Sequence, residues 1–129
     1  MRAVLDHVGI AVERLEPSVH FFRDALGLHV EAPEDVASQS VRAHQVQLDG
    51  LAALELLEAT SPASPIAKFM GKRGPGLHHI TLRVDDIHAA LAHLAARGVR
   101  LVDETPRVGA GGSLIAFIHP EAAHGVLVE

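Results

Sequence analysis

Apolar residues alternate with other positions at Val8, Ile10 and Val12, the two-residue period of a strand with one buried face. Beyond Glu13 the spacing lengthens to four and three, at Leu15, Val19 and Phe22, which is the period of a helix. That helix runs into Gly27, where a left-handed C-terminal cap is expected. The same change of period recurs later in the chain. Laying LDHVGIAVERLEPSVHFF (5–22) over LHHITLRVDDIHAALAHL (77–94) needs no gap and places His7 on His79, Val8 on Ile80, Ile10 on Leu82 and Leu15 on Ile87. The second helix runs into Gly98.

Downstream of each copy, VRAHQVQLDGLAALELLE (41–58) and GSLIAFIHPEAAHGVLVE (112–129) each read as two strands joined by a turn, with Asp49-Gly50 as the hairpin signal in the first. Each half is then βαβββ. Between them, SPASPIAKFMGKRGPG (61–76) is broken by Pro and Gly, with Ser64 before Pro65 as the cap and first position of a short helix. The expected architecture is α+β: two tandem βαβββ modules with pseudo-twofold symmetry, forming a cupped mixed sheet with helices outside. A single domain is expected over 1–129, with module 1 at about 1–60, a linker with a short helix at 61–76, and module 2 at about 77–129.

Composition narrows the chemistry. At 129 residues, 48% apolar and 21% charged, the chain suits one packed soluble domain. It has no Cys, so disulfides cannot support the fold and any metal must be held by nitrogen and oxygen. A formal charge of −5 offers no general attraction to nucleic acid or anionic lipid. No run approaches a membrane span, and Asp6 and His7 interrupt the start where a secretory signal would be apolar, so a cytoplasmic location is expected.

Alternation turns His7 away from Val8, Ile10 and Val12, and the repeat does the same for His79. Glu55 in Leu54-Glu55-Leu56 and Glu129 after Val128 interrupt apolar strands at nearly the offset that relates the two histidines. A carboxylate buried in such a strand is costly unless paired or metal-bound. Pseudo-symmetry would gather His7, Glu55, His79 and Glu129 around one axis, a donor set for Co, Ni, Mn, Fe or Zn. Taken singly, each His would be a satisfied structural side chain, Glu55 a solvated strand residue and Glu129 an exposed end. Recurrence in register is what argues otherwise. His78 points to the other face and is expected to pack. His20, His88 and His93 fall at polar helix positions, while His44, His119 and His124 are left open.

In order along the chain, LDHVGIAV, LELLEATSPASPIAKFM, GKRGPGLHHITLRVDDI and PRVGAGGSLIAFIHPEAAHGVLVE resemble the vicinal oxygen chelate superfamily of glyoxalase I, extradiol dioxygenases and bleomycin-resistance proteins. Within it they look most like the methylmalonyl-CoA epimerase family. That resemblance implies one divalent ion, commonly cobalt, at the positions of His7, Glu55, His79 and Glu129. It also implies interconversion of the (R) and (S) forms of an acyl-CoA, and a homodimer. Glu129 matches the family carboxylate proposed as base on one face of the enolate. Some members carry a Glu for the other face where this chain has Ala43, leaving His44 or Gln45 as weak substitutes. Relatives usually continue past the position of Glu129, the last residue here, and its α-carboxylate is expected to compete with its side chain as a donor. Lys68, Lys72 and Arg73 are the nearest basic cluster for coenzyme A phosphates, against the plainer reading of a solvated helix end. A glyoxalase I type lyase would share the four ligands but usually has an arginine where this chain has Ala11. A metal-free binding protein would need none of the four, and a dioxygenase would use one carboxylate with two His.

Overall fold

The computed structural model describes residues 1–129. In chain order its regular elements are β1 (Ala3–Ala11), α1 (Leu15–Val19), β2 (His29–Val30), β3 (Glu34–Val36), β4 (Val41–Gln47), β5 (Ala53–Ala59), α2 (Pro65–Arg73), β6 (Gly76–Val84), α3 (Ile87–Ala96), β7 (Arg107–Val108) and β8 (Leu114–Ile115). The fold is mixed α+β. Strands β2-β4-β5-β1 lie side by side in that order, with β3 also on β4, and β7 and β8 form a separate pair. The chain divides into two compact units, His7–His78 and Met1–Asp6 with His79–Glu129.

In the His7–His78 unit, β1 runs parallel to β5 with Gly9 opposite Glu55, and β5 pairs antiparallel with β4 from Val41↔Ala59 to Gln47↔Ala53. The expected hairpin is present, its turn centred on Gly50 at φ 112°. Alternation sorts the unit into two apolar layers. Ile10, Val12, Val46, Leu54 and Leu56 pack beneath Leu15, Val19 and Phe22. Leu56 and Val46 are fully buried, each contributing about 1.5–3 kcal/mol of apolar transfer. On the opposite face, Ala11, Val41, Ala43 and Leu57 pack beneath Ile66, Phe69 and Met70 of α2. Ser64 caps α2 as expected, its Oγ accepting from Ile66 N at 3.1 Å.

The first helix departs from the sequence reading. Only five residues are α-helical, and His20–Ala25 continue as a π-helical turn in which Leu26 N bonds Phe21 O at 3.0 Å. Glu58 serves its start, its carboxylate accepting from Leu15 N at 2.7 Å, a favourable place for negative charge. Gly27 then adopts φ 71°, as the expected cap requires.

In the other unit, Asp86 caps α3 by accepting from Ala89 N at 3.1 Å, and Gly98 follows the helix at φ 72°. The strands expected over 112–129 are fragmentary. Regular pairing is confined to β7 with β8, and the rest is single bridges, Leu101↔Ile118, Ile118↔Val128 and Ile80↔Val128. Gly111 and Gly112 at positive φ and the 3-10 turn Pro120–Ala123 break the ladder into these pieces. Gly109 is a close approach: a Cβ there would meet Ile115 side-chain atoms at 2.8–3.0 Å.

Candidate metal centre

The parallel register of β1 on β5 sets His7, Gly9 and Ala11 on the same face as Glu55 and Leu57, and β4 adds Ala43 and Gln45 to it. His7 Nε2 lies 3.7 Å from Glu55 Oε1, with side chains 12% and 7% exposed. Gln45 Nε2 donates to the other Glu55 oxygen, Oε2. Glu55 is therefore not turned to solvent, and its charge is met by an imidazole and an amide rather than by a lysine or arginine. Burying a carboxylate costs several kcal/mol unless it is well partnered, so this donor set is suited to a cation.

Around Glu129 the arrangement is parallel to β6. Glu129 N donates to Ile80 O at 2.8 Å and Glu129 O accepts from Leu82 N at 2.9 Å, which brackets Thr81. Thr81, itself buried, donates its Oγ1 proton to Glu129 Oε1 at 2.7 Å. His79, two residues earlier on the same strand face and 6% exposed, meets the edge of Phe117 at 6.0 Å and 86°. Arg107 stacks on Phe117 with its Cζ 5.4 Å from the ring centre. Each register thus places its carboxylate one strand away from its histidine, as the repeat predicts.

Within the His79–Glu129 unit, one ligand atom of His79 lies within 4.8 Å of one of Glu129. Nitrogen and oxygen donors about 2.0–2.2 Å from one ion stand roughly 3–4.4 Å apart, so this pair, and His7 with Glu55 at 3.7 Å in the other unit, are each spaced to suit a divalent cation.

The remaining expected site residues are placed differently. His44 pairs with Leu56, on the face opposite Glu55, and its Nδ1 lies 2.7 Å from Glu31 O. The acid/base role expected for His44 is thereby corrected, because the two-residue period sends it away from the carboxylate while Gln45 faces it. Ala43 is buried at 3% exposure under α2 and offers no proton acceptor. Lys68, Lys72 and Arg73 are exposed on α2, Arg73 lying 5.9 Å from the Phe69 ring centre. His78 packs edge-on against Phe69 at 4.9 Å, and burial pushes its pKa down. His20, His88 and His93 are exposed. His119 caps the turn Pro120–Ala123 by accepting from Glu121 N at 3.2 Å, and His124 ends that turn in the left-handed region. The donor from Thr81 was missed in the sequence; its signal is a buried polar side chain two residues after His79.

Residues 6–117 match the model of the Glyoxalase/Bleomycin resistance protein/Dioxygenase superfamily. The mitochondrial methylmalonyl-CoA epimerase of Dictyostelium discoideum is 40% identical over 97% of this chain and 75% of its own length. Among solved structures, methylmalonyl-CoA epimerase from Mycobacterium tuberculosis superposes with a TM-score of 0.91 at 42% identity, over 96% of this chain and 83% of that one. A variant of the Streptomyces coelicolor methylmalonyl-CoA epimerase in complex with 2-nitronate-propionyl-CoA superposes with a TM-score of 0.92 at 37% identity, over 97% and 90%.

Proposed function

Because this chain belongs to the glyoxalase, bleomycin resistance and dioxygenase superfamily, we propose that it interconverts (R)- and (S)-methylmalonyl-CoA by removing and returning the α-hydrogen. The observation that carries the reading is a histidine beside a carboxylate in each unit, His7 with Glu55 and His79 with Glu129, in a chain so similar to named epimerases. On this proposal His7, Glu55, His79 and Glu129 hold one divalent ion, cobalt being the family expectation. When bound, such an ion supplies Lewis-acid stabilisation of the negative charge that develops at the thioester carbonyl.

The chain's own residues do the rest. Glu129 accepts the α-proton on one face of the substrate. Ala43 supplies no carboxylate for the opposite face, so on this proposal a water molecule delivers the proton there, which inverts the α-carbon, and the proton held by Glu129 then passes to the hydroxide left behind. Lys68, Lys72 and Arg73 stand on α2, which covers the end of the face carrying His7, Gln45 and Glu55, and they are proposed to meet the coenzyme A phosphates. One domain of two modules acting as a homodimer belongs to the same reading, and the exposed Val4, Leu5 and Leu82 are compatible with a second copy. A cytoplasmic location belongs to the same proposal; no helix is long and apolar enough to cross a membrane.

The test is deuterium wash-in. Metal-loaded protein incubated with (S)-methylmalonyl-CoA in D₂O is expected to incorporate one deuterium at the α-carbon and to yield both epimers. Absence of incorporation from either epimer would overturn the assignment.

A further inference from the structure

Each of the two carboxylates has one oxygen already taken by a neutral donor, and the donors come from different places in the two units. In the His79–Glu129 unit the donor is Thr81, on the parallel neighbour strand, 2.7 Å from Glu129 Oε1. The equivalent neighbour of Glu55 is Gly9, which has no side chain to offer. There the donor comes from the other flank, where Gln45 on antiparallel β4 pairs with Glu55 and gives its amide proton to Oε2.

The geometry points to Thr81 and Gln45 as positioning residues that make Glu129 and Glu55 one-oxygen ligands. Two physical reasons favour this over simple burial chemistry. An uncharged donor fixes a carboxylate's orientation without neutralising it, whereas a lysine or arginine in the same place would compete with the cation. A carboxylate anchored at one oxygen also resists the rotation that even chelation through both would need, so coordination falls to its other oxygen. For Glu55 that oxygen is Oε1, the one 3.7 Å from His7 Nε2. The inference rests on the metal-centre reading above and adds which atoms serve it and what aims them. Hydrogen-bond partners of this kind typically account for about 10- to 100-fold in metal affinity.

The experiment titrates Co²⁺ into metal-free wild type and into Thr81→Val, Thr81→Ser and Gln45→Met. It follows the dissociation constant and the visible absorption of the bound ion, together with thermal denaturation of each metal-free protein. Thr81→Val and Gln45→Met are expected to bind roughly 10- to 100-fold more weakly with an altered cobalt spectrum, and Thr81→Ser to recover affinity to within about threefold. Folded Val and Met variants that bind as tightly as wild type with an unchanged spectrum would overturn the inference while leaving the metal centre standing. Should Thr81→Val fail to fold, Gln45→Met and Thr81→Ser decide the matter by the same two readouts. Wild type that takes up no cobalt overturns the metal-centre reading itself, and the positioning role with it.

Discussion

The proposed function gives Glu129 two roles, ligand and base, and its surroundings let them be separated. Its Oε1 accepts from Thr81, so ligation and proton transfer both depend on how the rest of that carboxylate is directed. Replacing it by glutamine keeps the shape and removes the basicity. Glu129→Gln is expected to bind metal more weakly and, with metal in excess, still to exchange the α-hydrogen about 10²- to 10⁴-fold more slowly than wild type. Deuterium wash-in measured separately from the (R) and (S) thioesters checks this; wild-type exchange at saturating metal would leave Glu129 as a ligand only. The repeat in register is what singles out His7, Glu55, His79 and Glu129 in the sequence as the proposed set. Thr81 and Gln45 were not legible there, because a hydrogen bond between neighbouring strands depends on pairing that periodicity alone does not give. His44 misled for the same reason: adjacency in sequence to Gln45 means opposite faces in a strand.

At the scale of elements, α2 is held by a small number of identifiable contacts. Ser64 accepts from Ile66 N, Pro65 occupies the first turn, and Ile66, Phe69 and Met70 anchor the helix over Ala11, Val41, Ala43 and Leu57. Ser64 is itself fully buried, so no water can replace the lost cap. Ser64→Ala should destabilise the protein by about 1 kcal/mol, near the middle of the range for such caps, measured by urea denaturation with an unchanged slope. A change below about 0.3 kcal/mol would show that the helix does not depend on its cap. Cap and helix were both readable from Ser-Pro after a broken linker. The π-helical turn His20–Ala25 was not, since apolar spacings of four and three suit an α-helix equally well. The broken ladder of 112–129 was also unseen, although its Gly and Pro residues are the physical cause.

For the molecule as a whole, a cation that binds the folded chain alone must stabilise it by mass action. At a metal concentration 100-fold above the dissociation constant the gain is about 2.7 kcal/mol, which for a chain of 129 residues amounts to roughly 10 °C in Tm. Scanning calorimetry across a metal series, reversed by chelator, measures it; a Tm indifferent to metal over that range would contradict a shared centre.

Pairing in the two units is unequal: seven consecutive residue pairs join β4 to β5, whereas Val128 has a single bridge on either side. Opening is easiest where ladder bonds are fewest, so amide hydrogens around 127–129 exchange long before those of β5. Glu55 then sits in the slow-exchanging part of the protein and Glu129 in the fast one. A bound ion would leave by the peeling of one short segment, and its residence time would be set by that segment's opening rate rather than by global unfolding.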